Sequence, residues 1–138
     1  MRQALTELTF RTPGKGFTEI TREIARWIDD SGIIDGLVTL HCEHTSASLT
    51  ITENASPAVL RDLQHWLDRI APERDGYEHD DEGPDDMPAH LKSALTGVNL
   101  SIPVRHGRMM LGTWQGIFLV EHRRAPHHRT IALHLLGE

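Results

Sequence analysis

The hydrophobic period of this 138-residue chain alternates between about two and about 3.6 residues, and no other feature restricts its fold as much. Across residues 37–42, Val38, Leu40 and Cys42 fall on one face of an extended segment and Leu37, Thr39 and His41 on the other. Ile20, Ile24, Trp27 and Ile28 instead recur at i, i+4, i+7 and i+8, the apolar stripe of a helix that Thr18 can cap and Ser31-Gly32 stops. Leu60, Leu63, Leu67 and Ile70 stripe a second helix, with Ser56 as N-cap, Pro57 at its first position and Ala71-Pro72 at its end. On it, His65 is expected at the surface and Trp66 in packing. Pro88 starts a third, short helix over residues 88–95. Further strands are expected over 5–12, 49–52, 98–104, 117–122 and 130–136, with His106-Gly107 as a hairpin turn. This mixture predicts one domain over residues 1–138. Its class is α+β, a mixed, largely antiparallel β-sandwich or barrel with about three helices.

Several function classes drop out on composition. No apolar run approaches the roughly 20 residues that cross a bilayer, and the polar start from Met1 to Glu7 lacks a secretory core, so no membrane partner and a cytoplasmic location are expected. A single cysteine, Cys42, cannot form an intramolecular disulfide or a thiolate zinc cage and reads as a small buried hydrophobe. The formal net charge of −6 offers no footprint for nucleic acid. Scattered arginines can still bind a small phosphorylated molecule.

That charge is local. Residues 73–86 hold eight Asp or Glu and one base, Arg74, whereas the rest of the chain holds 12 acids and 13 bases. His79 lies inside the run and His90 just beyond it. Together they offer imidazole and oxygen ligands to a divalent cation, zinc or magnesium. A solvated acidic loop is the other reading.

Elsewhere, polar groups stand where a core or turn does not call for them. His44-Thr45-Ser46 ends a strand and suits either a pocket floor or a capped turn. Glu53-Asn54 precedes the proline-started helix and either contacts a ligand or satisfies free amides. If His44, His79 and His90 converge, three imidazoles leave one open position for water or a substrate oxygen. Asp85 and Asp86 then orient the imidazoles, act as general base, or bind magnesium through water. A purely hydrogen-bonded acid–imidazole cluster is the alternative. Trp114 and Gln115, close to Gly112 and Gly116, can stack and edge-bond a heteroaromatic ring, or form a core pair. The turn 123–129, with Arg123, Arg124 and Arg129, reads as a solvated basic turn.

The blocks His44-Thr45-Ser46-Ala47, Glu53-Asn54, Tyr77-Glu78-His79, Glu82-Gly83-Pro84-Asp85-Asp86-Met87-Pro88-Ala89-His90 and Gly112-Thr113-Trp114-Gln115 resemble the YjbQ-like family, of the secondary thiamine-phosphate synthase type. The resemblance runs from about Phe10 to Glu138. It implies a mixed α/β sandwich or barrel, a homotrimer, and an activity that joins a pyrimidine diphosphate to a thiazole phosphate. By motif it also implies His44, His79 and His90 as metal or acid–base residues. Ser46, Asn54, Asp86, Gln115 and Glu121 line the implied pocket.

Taken with the residues themselves, this gives His44, Asp86, His90 and Glu121 as catalytic candidates. Ser46, Glu53, Asn54, Asp85, Trp114 and Gln115 are substrate-binding candidates, and His44, His79 and His90 the metal ligands. A diphosphate leaving group asks for a cation that spreads its charge. The carboxylates suit magnesium, but three histidines suit zinc. That mismatch keeps two alternatives open. One is a metal-dependent hydrolase of a small phosphorylated or amide metabolite; the other is a non-catalytic trimer that binds a small ligand or a metal.

Overall fold

The computed structural model describes all residues, 1–138. Eight strands and three helices follow in the order β1 (Arg2–Thr12), β2 (Gly16–Glu19), α1 (Thr21–Ser31), β3 (Gly36–Cys42), β4 (Ala47–Glu53), α2 (Pro57–Ile70), α3 (Asp86–Thr96), β5 (Asn99–Arg105), β6 (Arg108–Met109), β7 (Gln115–Glu121) and β8 (His127–Gly137). The fold is α+β. A five-stranded sheet runs β1-β8-β3-β5-β6 and a three-stranded sheet β2-β7-β4, with every paired neighbour antiparallel. Both sheets curl into a half-barrel.

One core fills the space between them. Val38, Leu40, Leu133 and Leu135 point in from the large sheet and Leu49, Ile117 and Leu119 from the small one. Ile20, Ile24 and Ile28, on one stripe, seal it. Each such side chain, fully removed from water, contributes about 1.5–3 kcal/mol. Cys42 is buried among them. The two sheets therefore hold the strand ends, where the polar residues lie, in fixed register.

Several local expectations change. Thr18 is not a cap but lies in β2, and α1 begins after Ile20 without any side-chain cap. Ser56 and Pro57 take their expected places, yet it is the Glu53 carboxylate, three residues back, that accepts the Ser56 N–H at 3.3 Å. Trp66 is 45% exposed and so only partly packed. The hairpin turn is as read, with His106 and Gly107 both at positive φ, 55° and 76°. After it, however, the chain leaves the large sheet, and β7 pairs with β2 and β4. Gly137 faces Gly36 so closely that a Cβ on it would meet the Gly36 Cα at 2.7 Å. No helix is long and apolar enough to cross a membrane.

One shift matters for the site. Helix α3 starts at Asp86, two residues ahead of the expected Pro88. Proline is tolerated as the third helical residue because the first four helical N–H groups have no intrahelical acceptor. Asp86 and His90 thereby become an i, i+4 pair on one helical face.

Candidate metal centre

Asp86 is 4% exposed, at the first position of α3, and its Oδ2 is a point of convergence. His79 Nε2 stands 2.9 Å from it and His90 Nε2 3.2 Å. Glu82 Oε2 lies 3.1 Å from the same His79 nitrogen. One ligand atom from each of His79, Glu82, Asp86 and His90 falls within 4.8 Å of all the others. Ligands placed tetrahedrally at about 2.0–2.1 Å from a zinc ion would be about 3.3 Å apart, so the set fits an ion of that size with small adjustment.

The surroundings prepare these groups as ligands. His90 Nδ1 donates to the Thr45 carbonyl at 3.0 Å, which leaves Nε2 as the lone-pair nitrogen of a neutral ring. His79 Nδ1 lies 3.6 Å from Asp81 Oδ1, an ionic contact too long for a hydrogen bond. Arg123 Nη1 donates to Asp86 Oδ1 at 2.7 Å, so one carboxylate oxygen is anchored and the other faces the imidazoles. Burial pushes the Asp86 carboxyl up, but the His79 hydrogen bond and the His90 and Arg123 charges outweigh it and hold the group below its ordinary value. The same bond to Asp86 raises His79, against a smaller opposing effect of desolvation.

Arg123 also ties the loop itself. It donates to the Glu82 carbonyl at 3.0 Å and to Asp85 Oδ2 at 3.2 Å, while the Arg124 N–H reaches that oxygen at 2.8 Å. Asp85 is thus committed to the basic turn. Burial would raise its carboxyl, yet these bonds keep it below the usual range.

Other expected site residues lie elsewhere. His44 Nε2 accepts the Thr130 N–H at 2.7 Å, so that lone pair is used and His44 stays outside the metal cluster. Burial, then the Arg129 charge, hold His44 below its ordinary value and favour this neutral acceptor role. It shares with His90 a separate cavity of about 380 Å³. Glu121 is fully buried. It accepts from Arg129 Nε at 2.8 Å, Thr12 Oγ1 at 2.6 Å and the Arg123 N–H at 3.1 Å, which closes it to a substrate. Burial disfavours its charge, but Arg129 and Thr12 more than compensate and hold it low. Ser46 is buried too, its hydroxyl accepting from Arg129 at 2.9 Å. Arg129 is accordingly an interior residue and not part of a solvated turn.

The remaining candidates collect at the far end of the small sheet. Ala47 pairs with Glu121 but Glu53 with Gln115, so Gln115 stands about 20 Å from Glu121 along β7 at roughly 3.3 Å per residue. There, Trp114 is 63% exposed rather than in the core. Gln115 Oε1 accepts the Gly112 N–H at 2.7 Å, and Asn54 donates to Glu19 at 3.1 Å. One chain does not bring this group to the His79 cluster.

A family model described as UPF0047 protein YjbQ-like matches residues 6–138. The chain belongs to this family. It is 48% identical over 139 residues to a UPF0047 protein of Synechocystis, covering 99% of this chain and 94% of the other. The UPF0047 protein YjbQ of Escherichia coli O157:H7 is 45% identical over 95% of this chain and 96% of its own. A crystal structure of a YjbQ/UPF0047 family protein from Clostridium acetobutylicum superposes with a TM-score of 0.88 at 34% identity, covering 95% and 99% of the two chains. The family likeness and its fold therefore hold. The thiamine-phosphate synthase expectation does not. These relatives are described only as UPF0047 proteins or as an uncharacterized conserved protein, and the similarly folded protein of Sulfolobus solfataricus (TM-score 0.88, 23% identity, 99% and 100% covered) as one of unknown function. That activity is withdrawn.

Two participants escaped the sequence reading, Glu82 and Arg123. Glu82 had a signal in the spacing 79, 82, 86, 90, which repeats at three and four residues. Arg123 had one in the juxtaposition of a single acidic loop with a single basic turn.

Proposed function

We propose that this protein works through one divalent transition-metal ion held by His79, Asp86 and His90, with Glu82 or a small oxygen ligand completing the shell. The observation that carries the reading is the convergence of two imidazole nitrogens on one carboxylate oxygen, with His90 Nδ1 already spent on Thr45. Two imidazoles and a carboxylate favour zinc or a neighbouring first-row ion over magnesium, which prefers oxygen ligands and retains its water. Bound there, the ion would act as a Lewis acid on a coordinated water or oxygen. Glu82, the most exposed of the carboxylates in the cluster, is the ligand best able to give way to such a molecule.

Asp86 and the two histidines hold the ion. Arg123 fixes the orientation of Asp86, Thr45 that of His90. The His79 side opens to a cavity of about 390 Å³, bordered also by Glu73, Tyr77 and Met87, large enough for a small metabolite. A homotrimer remains a companion proposal, supported by the family resemblance and by the exposed Met110 and Trp114, and light scattering tests it. The metal reading is tested by zinc titration of the untagged chain beside Asp86→Asn, His90→Ala and His44→Ala. One ion per chain, lost in the first two and kept in the third, is expected. Equal binding by all four proteins refutes it.

A further inference from the structure

A second cavity, of about 580 Å³, lies beside the first, and Glu73 borders both. Its charged lining is Lys15, Asp68, Glu73, Arg74 and Arg124. Asp68 Oδ1 takes two lysines at once, Lys15 at 3.1 Å and the buried Lys92 behind it at 2.7 Å. Arg124 turns its fork onto Glu73, with Nε and Nη2 at 2.9 and 2.6 Å from the two carboxylate oxygens. Arg74 is exposed and has no hydrogen-bonding or ionic partner. Three bases thus line the cavity against two acids, an excess of one positive charge in a chain whose formal net charge is −6.

Asp68 is already satisfied by two lysines, one of them buried, which leaves Lys15 only partly engaged beside the unpaired Arg74. This arrangement suits an incoming dianion. The Arg124 fork already holds a two-oxygen anion in Glu73, and a phosphate group presents the same pair of oxygens with one more for Arg74 or Lys15. With Glu73 turned away, Lys15, Arg74 and Arg124 outnumber Asp68 by two, which matches the two negative charges of a phosphomonoester near neutral pH.

We propose that the Lys15, Arg74 and Arg124 groove is an anion subsite that seats the phosphate of a small phosphomonoester, whose other end reaches the metal centre past Glu73. The proposal rests on the metal reading and gives its ligand a chemical class. Glu73 then acts as a displaceable plug, swinging from Arg124 when phosphate enters. Arg124 also fixes Asp85 through its backbone N–H, so the subsite and the metal loop share one residue.

The test measures inorganic phosphate and acetate binding by calorimetry to the full chain, zinc-loaded and zinc-free, with Arg74→Glu and Arg124→Gln beside the parent. Arg124→Gln leaves the backbone N–H to Asp85 in place, and Arg74 makes no contact whose loss would unfold the chain. Phosphate is expected to bind both forms more tightly than acetate, and each variant to lose about tenfold or more, the worth of one charged hydrogen bond. Zinc affinity should stay within about twofold in both variants. Phosphate affinity unchanged by both substitutions, or no tighter than acetate, overturns the subsite while leaving the metal reading intact. Failure of the parent to bind zinc overturns the metal reading and the two-ended ligand with it.

Discussion

His90 Nε2 stands 3.2 Å from Asp86 Oδ2 while the opposite ring nitrogen donates to a backbone carbonyl, so Nε2 is the ring nitrogen aimed at the carboxylate. A metal ion held by both atoms would turn that contact into a pair of coordinate bonds.

The first prediction concerns Arg123. Replacing it with methionine keeps much of the packing but frees Asp86 Oδ1 and removes the charge that helps hold Asp86 ionised. Zinc affinity should fall roughly 10–100-fold, as when the orienting partner of a ligand is lost. Lysine at the same place should recover only part, since it cannot bridge Asp85 and Asp86 together. Isothermal titration gives the comparison, and an unaltered affinity in the methionine variant would remove Arg123 from the centre.

Acidity should compete with the metal at unusually high pH. The Asp86 hydrogen bond raises His79, so its protonated form persists above the ordinary histidine midpoint of about 6.5. A metal must displace that proton, and affinity therefore goes on climbing with pH above that ordinary midpoint. Zinc titrations between about pH 6 and 8 check the trend. A plateau already reached near about pH 6.5 would contradict it.

His122 makes an opposing claim on the stability of the metal-free fold. It is buried, with Nε2 2.9 Å from Ser48 Oγ, and burial followed by the Lys92 charge lowers it to about 3. The unfolded chain thus binds a proton near pH 6.5 that the folded chain refuses until about 3. Its contribution is complete above about pH 6.5 and is lost as pH falls through that window, at up to about 1.4 kcal/mol per pH unit. Urea midpoints from pH 7 to 5 should decline, and His122→Asn should flatten the decline. An equal slope in both proteins would assign it to other groups.

Glu121 separates a structural from a chemical role. Its buried pair with Arg129, completed by Thr12 and Ser46, is fully hydrogen-bonded, and removing one partner strands a charge in the core. Glu121→Ala should cost about 3–5 kcal/mol in chemical denaturation. At a temperature where it remains folded, its zinc stoichiometry should match that of the parent.

How much of this was readable from residues alone depends on the range of the interactions involved. The α1 stripe, the inward face of β3 and the His106-Gly107 turn are local patterns, and the structure repeats them. The sequence puts Pro88 at the first helical position although the third serves as well, and those two residues hide the Asp86–His90 pairing. His44 looks like a site residue in sequence because a histidine ending a strand suits a pocket floor, and Glu121 because the family resemblance implies it. Both are engaged by β8: the His44 partner, Thr130, lies 86 residues away, and the Glu121 partner, Arg129, stands eight residues on across the β7–β8 connection, which the sequence reads as a solvated turn. The split between the Trp114 end and the His79 end has the same origin, since β4–β7 register decides it.

The most direct measurement is the anomalous difference map of crystals of the untagged protein grown with zinc, recorded on both sides of the zinc edge. The account predicts one strong peak per chain within about 2.0–2.2 Å of His79 Nε2, His90 Nε2 and an Asp86 oxygen, with Arg123 still on the other oxygen. A peak centred on His44, or none within bonding distance of Asp86 at saturating zinc, would contradict it.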